Sequence, residues 1–170
     1  MRRTIAAAGS LVFFCLAPGL VAGLGPYWLA GWQFREPLPY WAPFRFLGAA
    51  LLAAGVGFLL HAFIRFVLEG LGTPAPVAPT AHLVVGGIYR FVRNPMYIAV
   101  VITIVGQALL FGQLGLLAYA AVIALVQAAF VHFYEEPELR ERFGESYDTY
   151  RHAVPAWWPR LTPWRGPESV

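Results

Sequence analysis

Long uncharged runs alternate with short charged segments along this chain, and the runs have the length of membrane-spanning helices. Residues 5–24 and 46–64 are uncharged for 20 and 19 positions. A third run covers the 41 positions between Arg93 and Glu135, about twice the ~20 residues with which one helix crosses a bilayer. Small and polar residues at 112–115 divide this run, because they favour a tight turn. The pattern therefore predicts about four transmembrane helices, at 5–24, 46–64, 97–111 and 116–133, the last two forming a helical hairpin.

The first run admits a second interpretation. It follows Arg2 and Arg3 and ends in small residues, which is also typical of a signal peptide. Pro18 fits a kinked span, and no clear A-x-A cleavage site follows the run. We expect an uncleaved anchor, with a cleaved signal peptide as the alternative, and the remaining topology is the same in both cases.

The segments between the runs differ in composition. Residues 25–45 are rich in proline, tryptophan and tyrosine, as in the aromatic belt at a membrane surface. Residues 70–81 hold three prolines, which predicts an extended linker. Residues 135–152 predict an amphipathic cytoplasmic tail helix, because apolar side chains recur at helical spacing at Leu139, Phe143, Tyr147 and Tyr150.

These elements predict an all-α integral membrane protein that forms one structural domain. Its N-terminal part, residues 1–79, holds two spans and the linker, and residues 80–170 hold the helical hairpin and the tail. Composition agrees, with 59% hydrophobic and 12% charged residues and a mean hydropathy of +0.60. A soluble domain has roughly 45–50% apolar and about 25% charged residues.

The arginines set the expected orientation. All twelve basic residues are arginines, and with a cytoplasmic N-terminus only Arg35 and Arg45 fall outside. The positive-inside rule then places both termini, and the charged regions 65–95 and 134–170, on the cytoplasmic side. An arginine-only basic set is typical of a genome rich in G and C, and we expect a bacterial inner membrane. Nucleic acid is not an expected partner, because the arginines flank apolar spans and form no single patch.

Charge meets the apolar runs at two places, where function in membrane proteins concentrates because charge is costly there. Arg90 and Arg93 lie three positions apart before the third span, and Pro95 suits the first turn of a helix. Glu135 and Glu136 end the fourth span. Headgroup anchoring and a solvated helix end explain both pairs without a function. The functional interpretation is that they share one site on the cytoplasmic face.

The sequence predicts no metal site. The four histidines are scattered and no two of them form an i,i+4 pair, and Cys15 is the single cysteine. The chain also contains no H-E-x-x-H motif and no phosphate-binding G-x-x-x-x-G-K-[ST] loop.

The order of these residues resembles a known family. The stretch from 82 to 89 reads H-L-V-V-G-G-I-Y, residues 93–97 read R-N-P-M-Y, and a helical hairpin follows. This arrangement is similar to isoprenylcysteine carboxyl methyltransferases, and related membrane phospholipid N-methyltransferases are similar in the same stretch. The similarity covers roughly residues 80 to 160 and continues through Glu135, Glu136, Leu139, Phe143, Gly144, Tyr147, Tyr150, Val154 and Pro155. One departure is visible, because the usual Arg-His-Pro reads Arg93-Asn94-Pro95 here, so an amide stands where the family has an imidazole.

The resemblance implies S-adenosylmethionine as cofactor at the cytosolic membrane face, with residues 80–170 as the methyltransferase-like region. It implies Arg93 and Glu136 as catalytic residues. Carboxylates can hold the cofactor's ammonium or hydroxyls, an arginine can hold its carboxylate, and Tyr89, Tyr97 or Tyr134 can face the sulfonium. The expected cofactor-binding residues are His82, Gly87, Tyr89, Arg93, Asn94, Pro95, Tyr97, Glu135 and Glu136.

The implied reaction is methylation of a lipophilic small molecule that enters laterally from the bilayer, with membrane lipids as partners. A carboxylate of isoprenylcysteine type is the expected acceptor and needs no general base. The alternative is N-methylation of a phospholipid or another amine, which must lose a proton, with His82 and His132 as candidate bases. A further alternative of another class is a non-catalytic membrane protein that retains the fold, for which Asn94 is the best support.

Overall fold

All regular structure in this computed structural model, which describes residues 17–70 and 82–166, is helical. The all-helical prediction is therefore confirmed for these residues. Two π-helical turns, Gly19–Leu24 and Val131–Glu135, and a 3-10 turn, Gly87–Arg90, accompany the α-helices. The α-helices are α1 (Gly25–Ala30), α2 (Ala42–Gly70), α3 (Pro95–Phe111), α4 (Gly115–Phe130), α5 (Glu136–Phe143) and α6 (Glu145–Ala153).

Within the described residues, two helices are long and apolar enough to cross a membrane. One is Ala42–Arg65 of α2, and the other is the continuous helix Gly115–Phe143, in which a π-helical turn joins α4 to α5. α3 is apolar but shorter, with 17 residues. These helices and the composition indicate a membrane protein. The count of four spans stays a prediction, since residues 1–16 and the linker residues 71–81 lie outside the described residues.

The helix that contains the end of the first predicted span continues beyond it. From Ala17 the chain is helical through α1 to Ala30, so the helix extends 6 residues past the expected end of the span at residue 24. Gly25 has helical dihedral angles (φ −58°, ψ −55°). Pro26 of α1 has no N–H to donate to a carbonyl oxygen one turn earlier, and the side chains of Tyr119 and Gln107 donate to those of Val21 and Ala22 instead. The helix ends at Gly31, whose φ of +59° suits glycine.

α3 ends at the predicted residue 111 and begins two residues before the predicted start at 97, at the proline that suits a first turn. Pro95 is its first residue, and Gly112, with φ +68°, terminates it before α4 starts at Gly115. α2 and α3 form the most extensive helix pair, because small residues let their backbones approach closely. A Cβ atom added to Gly106 of α3 would lie 2.5 Å from the backbone nitrogen of Leu52 in α2.

The predicted tail helix over residues 135–152 is two helices. Gly144 separates α5 from α6 with φ +50° and ψ −126°, dihedral angles that a residue with a Cβ rarely adopts. α5 continues the fourth span, whereas α6 folds back and buries Tyr147 and Tyr150 in a small core with Val154. The single amphipathic helix is therefore wrong, and the reversal at Gly144 brings the α6 tyrosines towards the segment that precedes α3.

A polar contact inside the bundle holds the N-terminal segment, residues 17–30, in place. Gln107 of α3 donates from Nε2 to the carbonyl oxygen of Ala22 at 2.6 Å, and its Oε1 accepts a hydrogen bond of 2.9 Å from Trp32. Such hydrogen bonds hold helices together in a membrane, where water cannot satisfy the same groups. The segment around Val21 is thereby held against α3, where it forms one wall of the cavity described next.

Candidate functional site

The segment before α3 and the end of the fourth span meet at an ion pair that is largely shielded from solvent. Arg93 donates from Nη1 to Glu136 Oε1 at 2.7 Å and to the Tyr147 hydroxyl at 3.0 Å. Its Nε donates to the carbonyl oxygen of Val154 at 2.9 Å. The two charged side chains are 11% and 12% exposed, and Arg151 Nη2 lies 3.4 Å from the second oxygen of Glu136. Arg93 therefore ties three parts of the chain together.

Hydrogen bonds hold the C-terminal segment, residues 154–166, against the ion pair of Arg93 and Glu136. The Arg93 N–H donates to the carbonyl of Pro155 at 2.9 Å, and the Asn94 N–H donates to that of Ala156 at 3.3 Å. The Tyr150 hydroxyl donates to the carbonyl of Tyr89 at 2.6 Å. Through these contacts the C-terminal segment covers the polar cluster of Arg93, Glu136 and Tyr147, and we refer to this segment as the lid.

Glu135 and Glu136 face different partners because neighbouring residues on a helix point about 100° apart. Glu136 faces Arg93, whereas Glu135 Oε2 accepts a hydrogen bond of 2.8 Å from the Tyr97 hydroxyl. Glu135 ends the π-helical turn, a feature often found at functional sites. Its other oxygen, Oε1, receives no hydrogen bond from the described part of the chain. Glu136 is therefore neutralised by Arg93, whereas Glu135 keeps one oxygen that can still accept a hydrogen bond.

Two cavities adjoin this cluster. The larger, of about 300 Å³, lies among the start of α3, α2, α4 and the N-terminal segment, with an apolar wall that includes Val21, Leu59, Val100, Val126 and Phe130. The smaller, of about 80 Å³, lies under α6, between Leu83, Leu139, Tyr147 and Tyr150. Arg93, Asn94 and Glu135 line both cavities and form the wall that they share.

Asn94 is the least satisfied residue of this shared wall. It is 8% exposed, and its Nδ2 has no hydrogen-bond partner among the residues that the structure describes. Gln127 lines the larger cavity, and its buried Oε1 likewise has no hydrogen-bond partner among the described residues. An unpaired buried polar group costs about 1–3 kcal/mol, so a ligand that pairs these two groups would offset that cost.

The structure brings together most of the site residues expected from the sequence. Seven of the nine expected cofactor-binding residues line one or both cavities. They are Tyr89, Arg93, Asn94, Pro95, Tyr97, Glu135 and Glu136.

The remaining candidates lie elsewhere. His82 is exposed and lines neither cavity, and Gly87 faces a different groove, on the α2 side of the 3-10 turn. His132 and Tyr134 are also exposed, and Tyr134 stacks on Phe130 of its own helix. Neither candidate base therefore adjoins the cavities.

The sequence did not single out Tyr147, Arg151 and Gln127 as site residues. Tyr147 and Arg151 are four positions apart on α6, so they share a face that reaches Glu136 and Arg93. Gln127 is a polar residue inside an uncharged run, and that isolation is the signal that points to it.

Burial of the α6 tyrosines predicts a loss of stability at alkaline pH. Burial raises the pKa of the Tyr147 and Tyr150 phenols above the ordinary value, and the nearby Arg93 guanidinium opposes this rise. An unfolded tyrosine titrates near pH 10. Above that pH the unfolded chain releases protons that the folded chain keeps, so the free energy of unfolding falls as pH rises. Thermal unfolding in detergent between pH 8 and about 11 measures this, and Tyr150→Phe should show a shallower fall, whereas an equal slope would contradict it.

The chain is similar in sequence to a known protein family. The profile of the phospholipid methyltransferase family matches residues 44–146, which is more than half of the 170 residues. The match runs from α2 to the start of α6, so it begins further towards the N-terminus than the resemblance over residues 80–160. No curated protein matches the chain. The matched length, which includes Arg93, Asn94, Glu135 and Glu136, shows that the chain belongs to the phospholipid methyltransferase family.

Proposed function

We propose that the protein transfers a methyl group from S-adenosylmethionine to a lipophilic acceptor in the membrane. The family is one of membrane methyltransferases, and two helices of this chain are long and apolar enough to span a bilayer. The observation that carries the proposal is the wall shared by the two cavities, which Glu135 lines together with Asn94, whose Nδ2 has no partner among the described residues. An apolar cavity of about 300 Å³ on one side of that wall has room for a hydrophobic acceptor.

The residues of the shared wall fit the methyl donor. The Asn94 amide can donate to a carboxylate or hydroxyl oxygen of the donor. Tyr89 and Tyr97, which line the larger cavity, can place aromatic faces towards a cationic sulfonium. When bound, the donor supplies an electrophilic methyl group, so the protein's task is to position the acceptor and exclude water.

Arg93 and Glu136 are better assigned to positioning than to direct contact with a ligand. Three hydrogen bonds from Arg93 go to Glu136, Tyr147 and Val154 of the protein itself. Its guanidinium therefore fixes α6 and the C-terminal segment over the site. This assignment replaces the expectation from the resemblance, in which both residues act on the ligands.

The charge of the site favours an amine acceptor over a carboxylate acceptor. Arg93 is neutralised by Glu136, whereas Glu135 presents an oxygen without a hydrogen bond from the described residues. A carboxylate acceptor would be repelled by Glu135, and an ammonium headgroup would be attracted to it. Because neither His82 nor His132 lines the cavities, Glu135 is the group placed to take the proton that an ammonium must lose before methylation. We therefore assign an amine lipid such as an aminophospholipid as the acceptor.

The acceptor would enter from the bilayer between the N-terminal segment and α4. Val126 and Phe130 of α4 line the larger cavity, and their side chains are also exposed on the outer surface of the bundle. Ala17, Pro18 and Val21 form the opposite edge. A lipid chain can occupy this apolar gap while its headgroup reaches Glu135. With four spans and the orientation that the arginines favour, the site would face the cytosol of a bacterium.

Labelled S-adenosylmethionine tests the acceptor directly. Purified protein in detergent receives phosphatidylethanolamine or a prenylated cysteine acid, and we expect label in the amine lipid. Label in the prenylated acid alone would overturn the amine assignment. Label in neither acceptor, with a lipid extract also unlabelled, would overturn the methyltransferase proposal.

A matched pair of valines on α4 tests the entrance. Val126 lines the larger cavity and is 59% exposed, whereas Val122, one turn earlier, is 56% exposed and does not line it. Val126→Trp should slow lipid methylation at least about tenfold by filling the gap, and Val122→Trp should leave the rate near that of the wild type. Initial rates at several lipid concentrations measure this, and equal rates for both variants would contradict entrance at α4.

A further inference from the structure

A second large concave surface lies on the other side of the 3-10 turn that precedes α3. It is an open groove of about 890 Å³ between α2, the 3-10 turn and the C-terminal segment. Gly87 and Arg90 line this groove, whereas Tyr89 and Arg93 line the candidate methyl-transfer site. The groove is therefore separate from that site, and the proposed function does not use it.

The α2 wall of the groove changes from apolar to basic along the helix. Ala54, Gly57, Phe58, His61 and Arg65 line it, and their spacing places them on one face of α2. Ala54 and Arg65 are eleven positions apart, which is about 16 Å along a helix axis. Half of the ~30 Å hydrocarbon thickness of a bilayer is about 15 Å. The groove therefore has the length of one membrane leaflet, with its basic end at the last residue of the candidate span Ala42–Arg65.

The basic end of the groove combines two arginines from different elements. Arg65 comes from α2 and Arg90 from the 3-10 turn, and no carboxylate is among the described residues that line the groove. Arg90 donates from Nε to the Trp164 carbonyl oxygen, and its terminal nitrogens form no hydrogen bond within the described ranges. The backbone N–H of Trp164 also donates to the Arg90 carbonyl at 2.9 Å, so the C-terminal segment holds this arginine in place.

Gly87 allows the basic residues to gather at this end. Its φ is +56°, and an added Cβ atom would lie 2.7 Å from Arg65 Nε and 3.1 Å from His61 Nε2. A side chain here would displace Arg65 and be strained in this conformation. Gly57, by contrast, has nothing within 4 Å of an added Cβ atom, so the apolar half of the groove is open at that position.

We propose that this groove binds one anionic phospholipid as a resident lipid, with its phosphate at Arg65 and Arg90 and an acyl chain along Ala54, Gly57 and Phe58. Arginine suits a phosphate because its planar fork can donate two hydrogen bonds to phosphate oxygens. Basic pockets between transmembrane helices at a membrane face recognise anionic headgroups in this way. Its length and its polarity gradient both match such a lipid, whereas a soluble phosphate would use only the basic end.

Titration of lipid-depleted protein in neutral detergent tests this site. Phosphatidylglycerol, phosphatidylcholine and inorganic phosphate are the three probes, and native mass spectrometry counts the molecules retained. We expect one phosphatidylglycerol to bind at least about fivefold more tightly than phosphatidylcholine, because one basic residue near a membrane surface contributes about that factor. Equal affinity for the two lipids would overturn the proposal. Competition by inorganic phosphate as effective as that of the lipid would also overturn it, since the site would then take the phosphate alone.

Single substitutions separate this groove from general charge effects. Arg65→Gln and Arg90→Gln should each weaken phosphatidylglycerol binding about fivefold, whereas Arg165→Gln, at an exposed arginine outside the groove, should not. Gly57→Phe keeps every charge and fills the apolar half, so it should abolish the preference for the lipid over inorganic phosphate. Helical circular dichroism checks that each variant is folded. Unchanged lipid affinity in Arg65→Gln and Gly57→Phe would refute the site.

The two lipid sites are distinguishable in the same experiment. Val126→Trp fills the proposed acceptor entrance and leaves the groove intact, so it should retain phosphatidylglycerol with wild-type affinity. Loss of phosphatidylglycerol binding in Val126→Trp, with no effect of Gly57→Phe, would place the bound lipid in the acceptor cavity and contradict the proposal. Lack of methyl transfer by the wild type would leave the lipid titration interpretable on its own.

Discussion

Replacing Arg93 with alanine is expected to lower the free energy of unfolding by about 3 kcal/mol and to reduce methyl transfer at least about 100-fold. The substitution leaves Glu136, whose side chain is 12% exposed, without its partner at 2.7 Å. Breaking a buried ion pair costs about 3–5 kcal/mol because a charge stays buried without compensation. The lower end applies here, because Arg151 remains 3.4 Å from Glu136. Thermal and denaturant unfolding in detergent, together with the rate of label transfer, measure both effects.

Arg151 provides the matched control for Arg93. It contacts the same carboxylate, but its side chain is 36% exposed, and a pair of that kind contributes at most about 1 kcal/mol. Arg151→Ala should therefore have a small effect on unfolding and a modest effect on the rate. Equal destabilisation by the two variants would show that Arg93 does not hold the lid, and the positioning assignment would be wrong.

Replacing Asn94 with alanine is expected to weaken binding of S-adenosylmethionine about tenfold or more without lowering the free energy of unfolding. The buried Nδ2 of Asn94 has no partner among the described residues, so its removal breaks no hydrogen bond of the folded protein. A hydrogen bond to a charged ligand group contributes about 1.5–3 kcal/mol, which corresponds to about 10-fold to 150-fold in affinity. Isothermal titration and thermal unfolding of the purified variant measure the two quantities.

Gln113 at the other end of the bundle is the control for a buried amide. Its Nε2 donates to the carbonyl oxygen of Gln33 at 2.8 Å, so its amide already has a structural partner. Gln113→Ala should lower the free energy of unfolding by about 1 kcal/mol and leave the affinity for the methyl donor unchanged. If Asn94→Ala instead lowered stability and left the affinity unchanged, the amide would have a structural role and the shared wall would not bind the donor.

The sequence is sufficient to predict the helices whose signals are local. Pro95 is the first residue of α3, and Gly112 ends it with a left-handed conformation, so both boundaries follow from residues at the boundary itself. The uncharged run of residues 46–64 likewise falls inside α2. Such signals are contained in a few neighbouring positions, and they need no knowledge of the remaining fold.

The path of the chain around Glu135 could not be predicted in the same way. Two adjacent carboxylates usually mark the end of a span, yet the helix continues to Phe143. Distant residues satisfy the two carboxylates, Tyr97 that of Glu135 and Arg93 that of Glu136. Gly144 carries a signal for the break, but an isolated glycine is also tolerated within a helix. Only the packing of α6 decides between the two outcomes.

The candidate site likewise combines residues that the sequence predicts with residues that only the folded chain brings together. Its residues between 89 and 97 and at 135–136 were expected to meet, because the arginine distribution places both segments on one membrane face. Tyr147 and Arg151 complete it through the reversal at Gly144, which no local pattern specifies. Arg93 also donates a hydrogen bond to the backbone carbonyl oxygen of Val154, and a sequence gives no sign of such a contact because every residue has that oxygen.

The most direct measurement is the transfer of labelled methyl groups from S-adenosylmethionine to phosphatidylethanolamine by the wild type, Glu135→Gln and Glu138→Gln. Glu135 lines both cavities, whereas Glu138, one turn along the same helix, lines neither and has a side chain 44% exposed. We expect transfer by the wild type and Glu138→Gln, and a reduction of at least about 100-fold in Glu135→Gln, where the group assigned to take the proton is lost. No transfer by the folded wild type, or equal rates for all three proteins, would contradict a methyl-transfer site at this wall.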